Sequence, residues 1–253
     1  MNFTNKNVLI TGGSTGIGLA TAKAFIEKGA TVLITGRNAD SLRKAASQIN
    51  SPKLKTLVSD AANLKGIAEL EKAAVQNGKV DVLYLNAGIG KFSPIEFTTE
   101  ADFDELFNIN VKGLFFTLQK MIPHLADGAS VLVTSSNAAS LTMPTASVYS
   151  ATKAAVNVIT RIAANELAER KIRVNIVTPG AVETSWMDKS GFTPEQQEGF
   201  KQNISAKTAV KRMGSPEEIA KTVLFLASED ASFISGTGIL ADGGMVNLST
   251  SLQ

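Results

Sequence analysis

The feature that most constrains the fold of this chain is a regular alternation of short apolar segments with longer segments of helical spacing. Most of the apolar segments lack polar residues at alternate positions, which is typical of strands covered on both faces of a parallel sheet. They lie at 8–10, 31–35, 54–58, 80–85, 130–134, 173–177 and 238–240. Helical spacing occurs at 17–28, 39–49, 63–76, 103–125 and 148–170. This alternation predicts an α/β fold, a doubly wound parallel sheet with helices on both faces.

The domain organisation follows from what interrupts this alternation. No Pro/Ser-rich linker, repeat or low-complexity tract divides the chain, so we predict a single domain over residues 1–253. The exception is the segment 185–213, which is long and polar and contains Gly191, Pro194 and Gly199. Segments of this length are more often lids or binding loops than disordered insertions, so we predict a substrate-binding loop here.

Composition excludes several classes of function. The formal net charge is only +2 and basic runs are absent, so neither nucleic acid nor a membrane surface is an expected partner. With no cysteine and one histidine, a His/Cys zinc site is not expected, and we predict no metal. The polar N-terminus resembles neither a signal nor a transit peptide, and no apolar run is long enough to span a membrane. We therefore expect a soluble, cytoplasmic protein.

A glycine-rich turn follows the first predicted strand and opens the first predicted helix. Glycines let the backbone approach a pyrophosphate closely, and the helix N-terminus supplies amide donors and a favourable dipole. The spacing Gly-x-x-x-Gly-x-Gly differs from the commoner Gly-x-Gly-x-x-Gly, and an ordinary strand–helix turn is the alternative. In its strand–turn–helix context the turn predicts dinucleotide binding in a Rossmann fold, by residues that include Gly12, Ser14, Gly16, Ile17 and Gly18.

The end of the second predicted strand bears on which dinucleotide binds. An NAD-binding fold usually has an acidic residue here, against the ribose 2′-hydroxyl, whereas this chain has Gly36 followed by Arg37. An arginine can hold a 2′-phosphate through a charge-assisted hydrogen bond. We therefore predict NADP(H) as the cofactor, in preference to NAD(H). An ordinary surface role for Arg37 is the alternative.

A tyrosine and a lysine four residues apart, Tyr149 and Lys153, lie in a predicted helix, and Ser136 precedes the tyrosine by thirteen positions. Residues at this helical spacing share a face. A free phenol has a pKa of about 10, and a nearby ammonium group lowers it, which suits a general acid/base for an alcohol or carbonyl. About 0.15 such pairs are expected by chance in a chain of this composition, so the pair is informative only together with the other motifs.

Taken together, these motifs resemble those of the classical short-chain dehydrogenase/reductase family along nearly the whole chain. One departure is Leu85, where the family often has an asparagine. The matching residues are Thr11, Gly12, Gly16, Gly18, Asp60, Asn86, Ala87, Gly88, Asn110, Ser136, Tyr149, Lys153, Pro179, Gly180, Thr184, Gly236, Asp242, Gly243 and Gly244.

The resemblance implies a catalytic role for four residues. Tyr149 would transfer a proton to or from the substrate oxygen, and Ser136 would hydrogen-bond the same oxygen. Lys153 would bind the nicotinamide ribose and lower the pKa of the tyrosine. Asn110 would hold a water that links Lys153 to solvent. The cofactor itself would carry the hydride chemistry.

The resemblance also implies a set of cofactor contacts. Asp60 would lie at the adenine, and Asn86 and Gly88 would lie beside the adenosine ribose. The segment after Pro179 and Gly180 would reach the nicotinamide carboxamide through Val182 and Thr184.

The substrate is less constrained by the sequence. Trp186, Met187 and Phe192 lie in the 185–213 segment and are predicted to form the apolar wall of a substrate pocket. The C-terminal third is similar to bacterial 3-oxoacyl-carrier-protein reductases, whose acidic carrier protein requires basic residues near the cleft. The segment 123–129 has no Lys or Arg, although Arg170 or Lys171 matches a second basic site. We therefore favour a carbonyl reductase acting on small free substrates.

Other functions remain open from the sequence. A carrier-protein reductase is one alternative, and a catalytically silent NADP-binding sensor on the same fold is another, although a sensor does not need all four catalytic residues. An epimerase or dehydratase would be expected to have a longer substrate domain. The resemblance further implies a homotetramer, with the helix at 215–228 and the C-terminal tail as candidate contacts.

Overall fold

The computed structural model describes residues 1–76, 78–184 and 193–247, and seven strands in these ranges form one parallel sheet. The strand order is β3-β2-β1-β4-β5-β6-β7, so the direction of winding reverses between β1 and β4. This arrangement confirms the predicted doubly wound α/β fold. The strands are β1 (Asn7–Thr11), β2 (Thr31–Gly36), β3 (Leu54–Val58), β4 (Val80–Leu85), β5 (Leu125–Thr134), β6 (Arg173–Pro179) and β7 (Gly238–Ala241).

Helices cover both faces of the sheet. They are α1 (Gly16–Glu27), α2 (Ala39–Ile49), α3 (Leu64–Val75), α4 (Glu100–Phe107), α5 (Leu114–Met121), α6 (Ser147–Glu166), α7 (Pro194–Ala206) and α8 (Pro216–Ala227). Within the part of the chain that the structure describes, none of them is long and apolar enough to cross a membrane.

Two apolar cores form because side chains of successive strand residues point to opposite faces of the sheet. In β1, Val8 and Ile10 join the core beneath α1, α2 and α8, whereas Leu9 joins the core beneath α3, α5 and α6. All three are at most 2% exposed. The run of apolar residues in β1 is thus explained by burial on both faces of the sheet.

The helix predicted at 103–125 is divided in the structure. A π-helical turn, Asn108–Gly113, separates α4 from α5, and a 3₁₀ turn, Ile122–His124, leads directly into β5. At Gly113 an added Cβ would lie 2.2 Å from the carbonyl oxygen of Ala61, so only glycine permits this close approach. Periodicity alone could not reveal the division, because the apolar positions continue through it.

The segment predicted as a long loop at 185–213 contains a helix that the sequence analysis did not predict. Helix α7 begins after Thr193, whose hydroxyl accepts a hydrogen bond from the Gln196 amide while the Gln196 side chain accepts one from the Thr193 amide. This reciprocal capping, with Pro194 as the first helical residue, is a sequence signal for a helix start. Residues 185–192 lie outside the described ranges.

Candidate active site

The predicted site residues converge on one edge of the sheet, where the carboxyl ends of its parallel strands meet. In a doubly wound sheet, ligands bind at this edge where the winding direction reverses. Gly12 follows β1, Asn86 follows β4, Ser136 follows β5 and Gly180 follows β6. Residues spread over most of the sequence are therefore neighbours in space.

Tyr149 lies in the first turn of α6 and is hydrogen-bonded to the Ser136 hydroxyl. Burial raises the pKa of the Tyr149 phenol above its usual value, and the hydrogen bond from Ser136 opposes this shift. The ring of Phe92 packs edge-on against Tyr149, with the ring centroids 5.4 Å apart. The phenol is thus shielded from solvent on one side and bonded to the predicted serine on the other.

Lys153 lies one helical turn after Tyr149 and is only 5% exposed. Its ammonium donates a hydrogen bond of 3.0 Å to the backbone oxygen of Thr134 and lies 5.8 Å from the centroid of the Tyr149 ring. Burial lowers the pKa of Lys153 to about 8.

This geometry differs from the expectation that Lys153 lowers the pKa of the phenol. In the structure, burial is the largest influence on Tyr149 and it raises the pKa, because removing a phenolate from water is unfavourable. The ammonium of Lys153 is directed at the Thr134 carbonyl instead of the phenol. The sequence spacing predicted that the two side chains share a face but could not predict which group the ammonium contacts.

Asn110 lies in the π-helical turn and is buried. Its side-chain oxygen accepts from the Ile89 amide at 2.8 Å, and its side-chain nitrogen donates to the Ile89 carbonyl and to the Thr152 hydroxyl. π-turns often occur at functional sites. A Cβ added to Gly88 would lie 3.2 Å from the Asn110 oxygen and 3.4 Å from the Lys153 ammonium, so these three residues are adjacent.

The glycine-rich turn has the backbone geometry that a pyrophosphate requires. Gly12 and Gly16 have φ values of +65° and +53°, in the left-handed region that favours glycine. A Cβ added to Gly18 would lie 2.2 Å from the Gly12 carbonyl oxygen, so the first turn of α1 packs directly against the loop. The Asn86 amide donates to the carbonyls of Thr11 and Gly12 and holds the turn against the end of β4. These residues fit a dinucleotide phosphate.

Arg37 lies immediately after β2, and its side chain is 62% exposed. Its guanidinium is 4.0 Å from the carboxylate of Glu105 in α4, which also pairs with Lys91 at 2.5 Å. Ser14 lies beside the same strand end, since a Cβ added to Gly36 would be 2.9 Å from its hydroxyl. Arg37 therefore lies on the same side of the site as the glycine-rich turn, and its guanidinium faces the Glu105 carboxylate.

The remaining predicted cofactor contacts lie on two loops. Asp60 follows β3 and accepts a hydrogen bond of 2.9 Å from the Ala62 amide. Thr184 lies beside the phosphate turn, because a Cβ on Gly16 would be 3.2 Å from its methyl group. Val182 pairs with Gly214 in an isolated parallel bridge. The segment after Pro179 and Gly180 thus reaches the glycine-rich turn, and its contact with the nicotinamide carboxamide stays a prediction.

The predicted substrate wall cannot be placed, because Trp186, Met187 and Phe192 lie outside the described residues. The structure contains a cavity of about 240 Å³ beside the start of α6, and Phe92, which packs against Tyr149, lies in its wall. Thr145 in its wall has a φ of +70°, an unfavourable value for a β-branched residue. The cavity is lined by Lys91, Phe92, Ser93, Thr98, Asp102, Leu106, Thr145, Ser147 and Val148.

Three residues with a place in this site were not identified from the sequence. Thr152 orients Asn110, Thr134 supplies the carbonyl that holds Lys153, and Phe92 covers Tyr149. Thr152 lies within the Tyr-Ser-Ala-Thr-Lys segment, which was the only available signal. The contacts of the other two depend on tertiary structure.

Known proteins are similar to this chain over most of its length. A family model described as enoyl-(acyl carrier protein) reductase matches residues 12–246. An uncharacterised oxidoreductase of Methylorubrum extorquens is 39% identical, over 95% of this chain and 97% of that protein. The 3-oxoacyl-[acyl-carrier-protein] reductase of Thermotoga maritima is 36% identical, over 97% of this chain and 100% of that protein. The solved structure of a short-chain dehydrogenase from Burkholderia cenocepacia in complex with NADP has a TM-score of 0.88 and 29% identity, covering 97% of this chain and 99% of that one.

Proposed function

Because the chain belongs to the short-chain dehydrogenase/reductase family of NAD(P)-dependent oxidoreductases, we propose that it is an NADPH-dependent reductase of ketones and related carbonyl compounds. The products are secondary alcohols. The observation that carries this proposal is the hydrogen-bonded pair of Ser136 and Tyr149, with Lys153 one turn away and the phosphate turn at the same edge of the sheet.

Tyr149 is the proton donor in this proposal. Its raised pKa keeps the phenol protonated at neutral pH, so that it can donate to a carbonyl oxygen as negative charge develops there. The Ser136 hydroxyl, which already bonds the phenol, hydrogen-bonds the same oxygen and orients the substrate. The nicotinamide supplies the hydride when the cofactor is bound.

Lys153 and Asn110 return the proton. A lysine whose pKa is about 8 lies near the working pH, where it can both give and take a proton. Both N–H groups of the Asn110 side chain are used by Ile89 and Thr152, so a water linking Lys153 to solvent would donate a hydrogen bond to an oxygen of Asn110.

The cofactor would lie at the edge of the sheet between β1 and β4, where the direction of winding reverses. Its pyrophosphate would contact the glycine-rich turn, which contains Gly12, Ser14, Gly16, Ile17 and Gly18. The adenosine end would be held by Asp60, Asn86, Gly88 and Arg37, and the nicotinamide end by Tyr149, Lys153, Pro179, Gly180, Val182 and Thr184. Arg37 favours NADPH because its exposed guanidinium follows β2, where NAD-binding folds usually place a carboxylate.

The competing function is reduction of a 3-oxoacyl group on a carrier protein, as in the Thermotoga maritima relative. Arg170, one of the two residues matched to the basic docking site, pairs with Asp127 at 2.8 Å and donates to the carbonyls of Ile122 and Leu125. Those bonds occupy the guanidinium within the protein. This favours small free carbonyl substrates, and a comparison of a free β-keto ester with a carrier-bound 3-oxoacyl group would separate the two functions.

The assembly we propose is a homotetramer. Apolar side chains that are 44–53% exposed lie on α5 and α6, namely Phe115, Val158 and Ile162. Exposed apolar groups on neighbouring helices are candidates for contacts between subunits. Sedimentation velocity at assay concentration tests this, and a monomer there would contradict the proposal.

The principal test is Tyr149→Phe, assayed with NADPH against a panel of ketones, keto esters and sugars. The variant should bind NADPH nearly as well as the wild type but lose turnover by roughly 10²- to 10⁴-fold, because the proton donor is removed and the ring is kept. Turnover near the wild-type rate would remove the acid role from Tyr149. A wild type that binds NADPH but reduces no carbonyl compound would favour a nucleotide sensor.

A further inference from the structure

The second tyrosine of the chain, Tyr84, has no place in the mechanism above, yet its hydroxyl lies at the base of the site. Tyr84 belongs to β4, and its side chain is fully buried in the core beneath α1, α2 and α8. A buried tyrosine hydroxyl needs a hydrogen-bonding partner. Its partner is the hydroxyl of Thr134 at the end of β5, at a distance of 2.7 Å.

The direction of each hydrogen bond in this cluster follows from the available protons. The Asn86 side-chain nitrogen faces the carbonyls of Thr11 and Gly12, so its oxygen faces Thr134 at 3.0 Å. An amide oxygen only accepts, and a threonine hydroxyl has one proton. Thr134 therefore donates to Asn86, and Tyr84 donates to Thr134.

The result is a directed chain of bonds from the core to the phosphate turn: Tyr84 to Thr134, Thr134 to Asn86, and Asn86 to Gly12. Gly12 is held in the left-handed conformation at the start of the turn. The backbone carbonyl of Thr134 also accepts the Lys153 ammonium at 3.0 Å. Thr134 is thus bonded both toward the cofactor turn and toward the catalytic lysine.

We propose that Tyr84 is a positioning residue for cofactor binding, acting through the relay Tyr84–Thr134–Asn86. The phenol fixes the rotamer of the Thr134 hydroxyl, which fixes the orientation of the Asn86 amide against the carbonyl of Gly12. Without the phenol, the Thr134 hydroxyl loses the donor that orients it, so its hydrogen bond to the Asn86 oxygen is less well fixed. The proposal rests on one part of the proposed function, namely that the glycine-rich turn binds a dinucleotide.

The test is isothermal titration of NADPH, and separately NADH, into the full-length protein and its variants. Tyr84→Phe keeps the ring and removes only the hydroxyl, so the core stays filled. We expect it to raise the Kd for NADPH by about 3- to 10-fold, the range for one neutral hydrogen bond. Thr134→Val should raise the Kd at least as much, and Thr134→Ser, which keeps the hydroxyl, should restore it to within about twofold.

The double variant Tyr84→Phe/Thr134→Val distinguishes a relay from two independent packing effects. In a relay, the loss of Tyr84 costs nothing more once Thr134 has no hydroxyl, so the double variant should bind NADPH no worse than Thr134→Val alone. Additive losses would overturn the proposal. The control is Thr160→Val, which removes another buried hydroxyl, bonded to the Val156 carbonyl in α6 and remote from the turn. Its Kd should stay within about twofold of the wild type.

The outcomes separate this proposal from the proposed function. An unchanged Kd in Tyr84→Phe overturns the relay even if the wild type reduces ketones. A raised Kd supports the relay even if no carbonyl substrate is turned over. A wild type that binds neither NADPH nor NADH overturns both.

Discussion

The burial of Lys153 predicts an unusual dependence of stability on pH. The pKa of this lysine is about 8 in the folded protein, against 10.5 for an unperturbed lysine, and desolvation is the cause. Between these two values the unfolded chain carries a proton that the folded protein lacks. Stability therefore rises with pH in this window, because the unfolded state binds more protons.

The magnitude follows from the same two values. One pKa unit corresponds to about 1.4 kcal/mol, so the full effect is about 3 kcal/mol, of which about 2 kcal/mol falls between pH 7.5 and pH 9.5. Lys153 is only 5% exposed, so solvent screening reduces this little. The raised pKa values of Tyr84 and Tyr149 act in the opposite direction but only above about pH 10.

The assay is urea unfolding of the wild type and of Lys153→Met at pH 7.5, 8.5 and 9.5. The free energy of unfolding of the wild type should rise by about 2 kcal/mol relative to the variant over this range. Lys65→Met, at an exposed position of α3, serves as the control and should follow the wild type. Parallel pH profiles for the wild type and Lys153→Met would refute the argument, because they would mean that burial does not discharge this lysine.

Two further predictions concern catalysis and cofactor choice. The kcat/KM for carbonyl reduction should fall as pH rises through about 8, because the Lys153 ammonium loses its proton there. A kcat/KM that stays constant up to about pH 9.5 would contradict the role of Lys153 in proton transfer. Arg37→Ala should raise the KM for NADPH by about 10- to 100-fold and leave the KM for NADH nearly unchanged, because only the 2′-phosphate bonds the guanidinium. Glu105→Gln removes the carboxylate that lies 4.0 Å from the Arg37 guanidinium, so it should lower the KM for NADPH. In either variant, equal changes in the KM for NADPH and for NADH would contradict the assignment of Arg37 to the 2′-phosphate.

The fold could be predicted from local patterns because inner strands such as β1, β2 and β4 are buried on both faces and most helices bury one face, although the edge strands β3 and β7 are more exposed. The apolar segment 80–85 coincides with β4, and the segments at 31–35 and 173–177 fall one or two residues short of β2 and β6. Where local patterns failed, a tertiary contact was responsible. The division of the helix at 103–125 depends on the approach of Gly113 to the carbonyl of Ala61, which lies in a different loop.

Several residues of the candidate site could also be identified from the sequence. The glycine turn, Ser136, Tyr149 and Lys153 are recognisable because their chemistry requires particular residue types at particular spacings. Asn110 was placed only through the family resemblance, and the structure now gives its side chain specific partners in Ile89 and Thr152.

Apart from α7 and the division of the helix at 103–125, the sequence alone therefore predicted the alternation of strands and helices, the glycine-rich turn and the candidates for proton transfer, since these depend on near neighbours in the chain. Only the tertiary structure decided that the Lys153 ammonium faces the Thr134 carbonyl and that Tyr84 reaches the cofactor turn through Thr134 and Asn86. These contacts join residues 19 to 50 positions apart. They form because parallel strands bring their carboxyl ends to one edge of the sheet, which no local spacing in the sequence records.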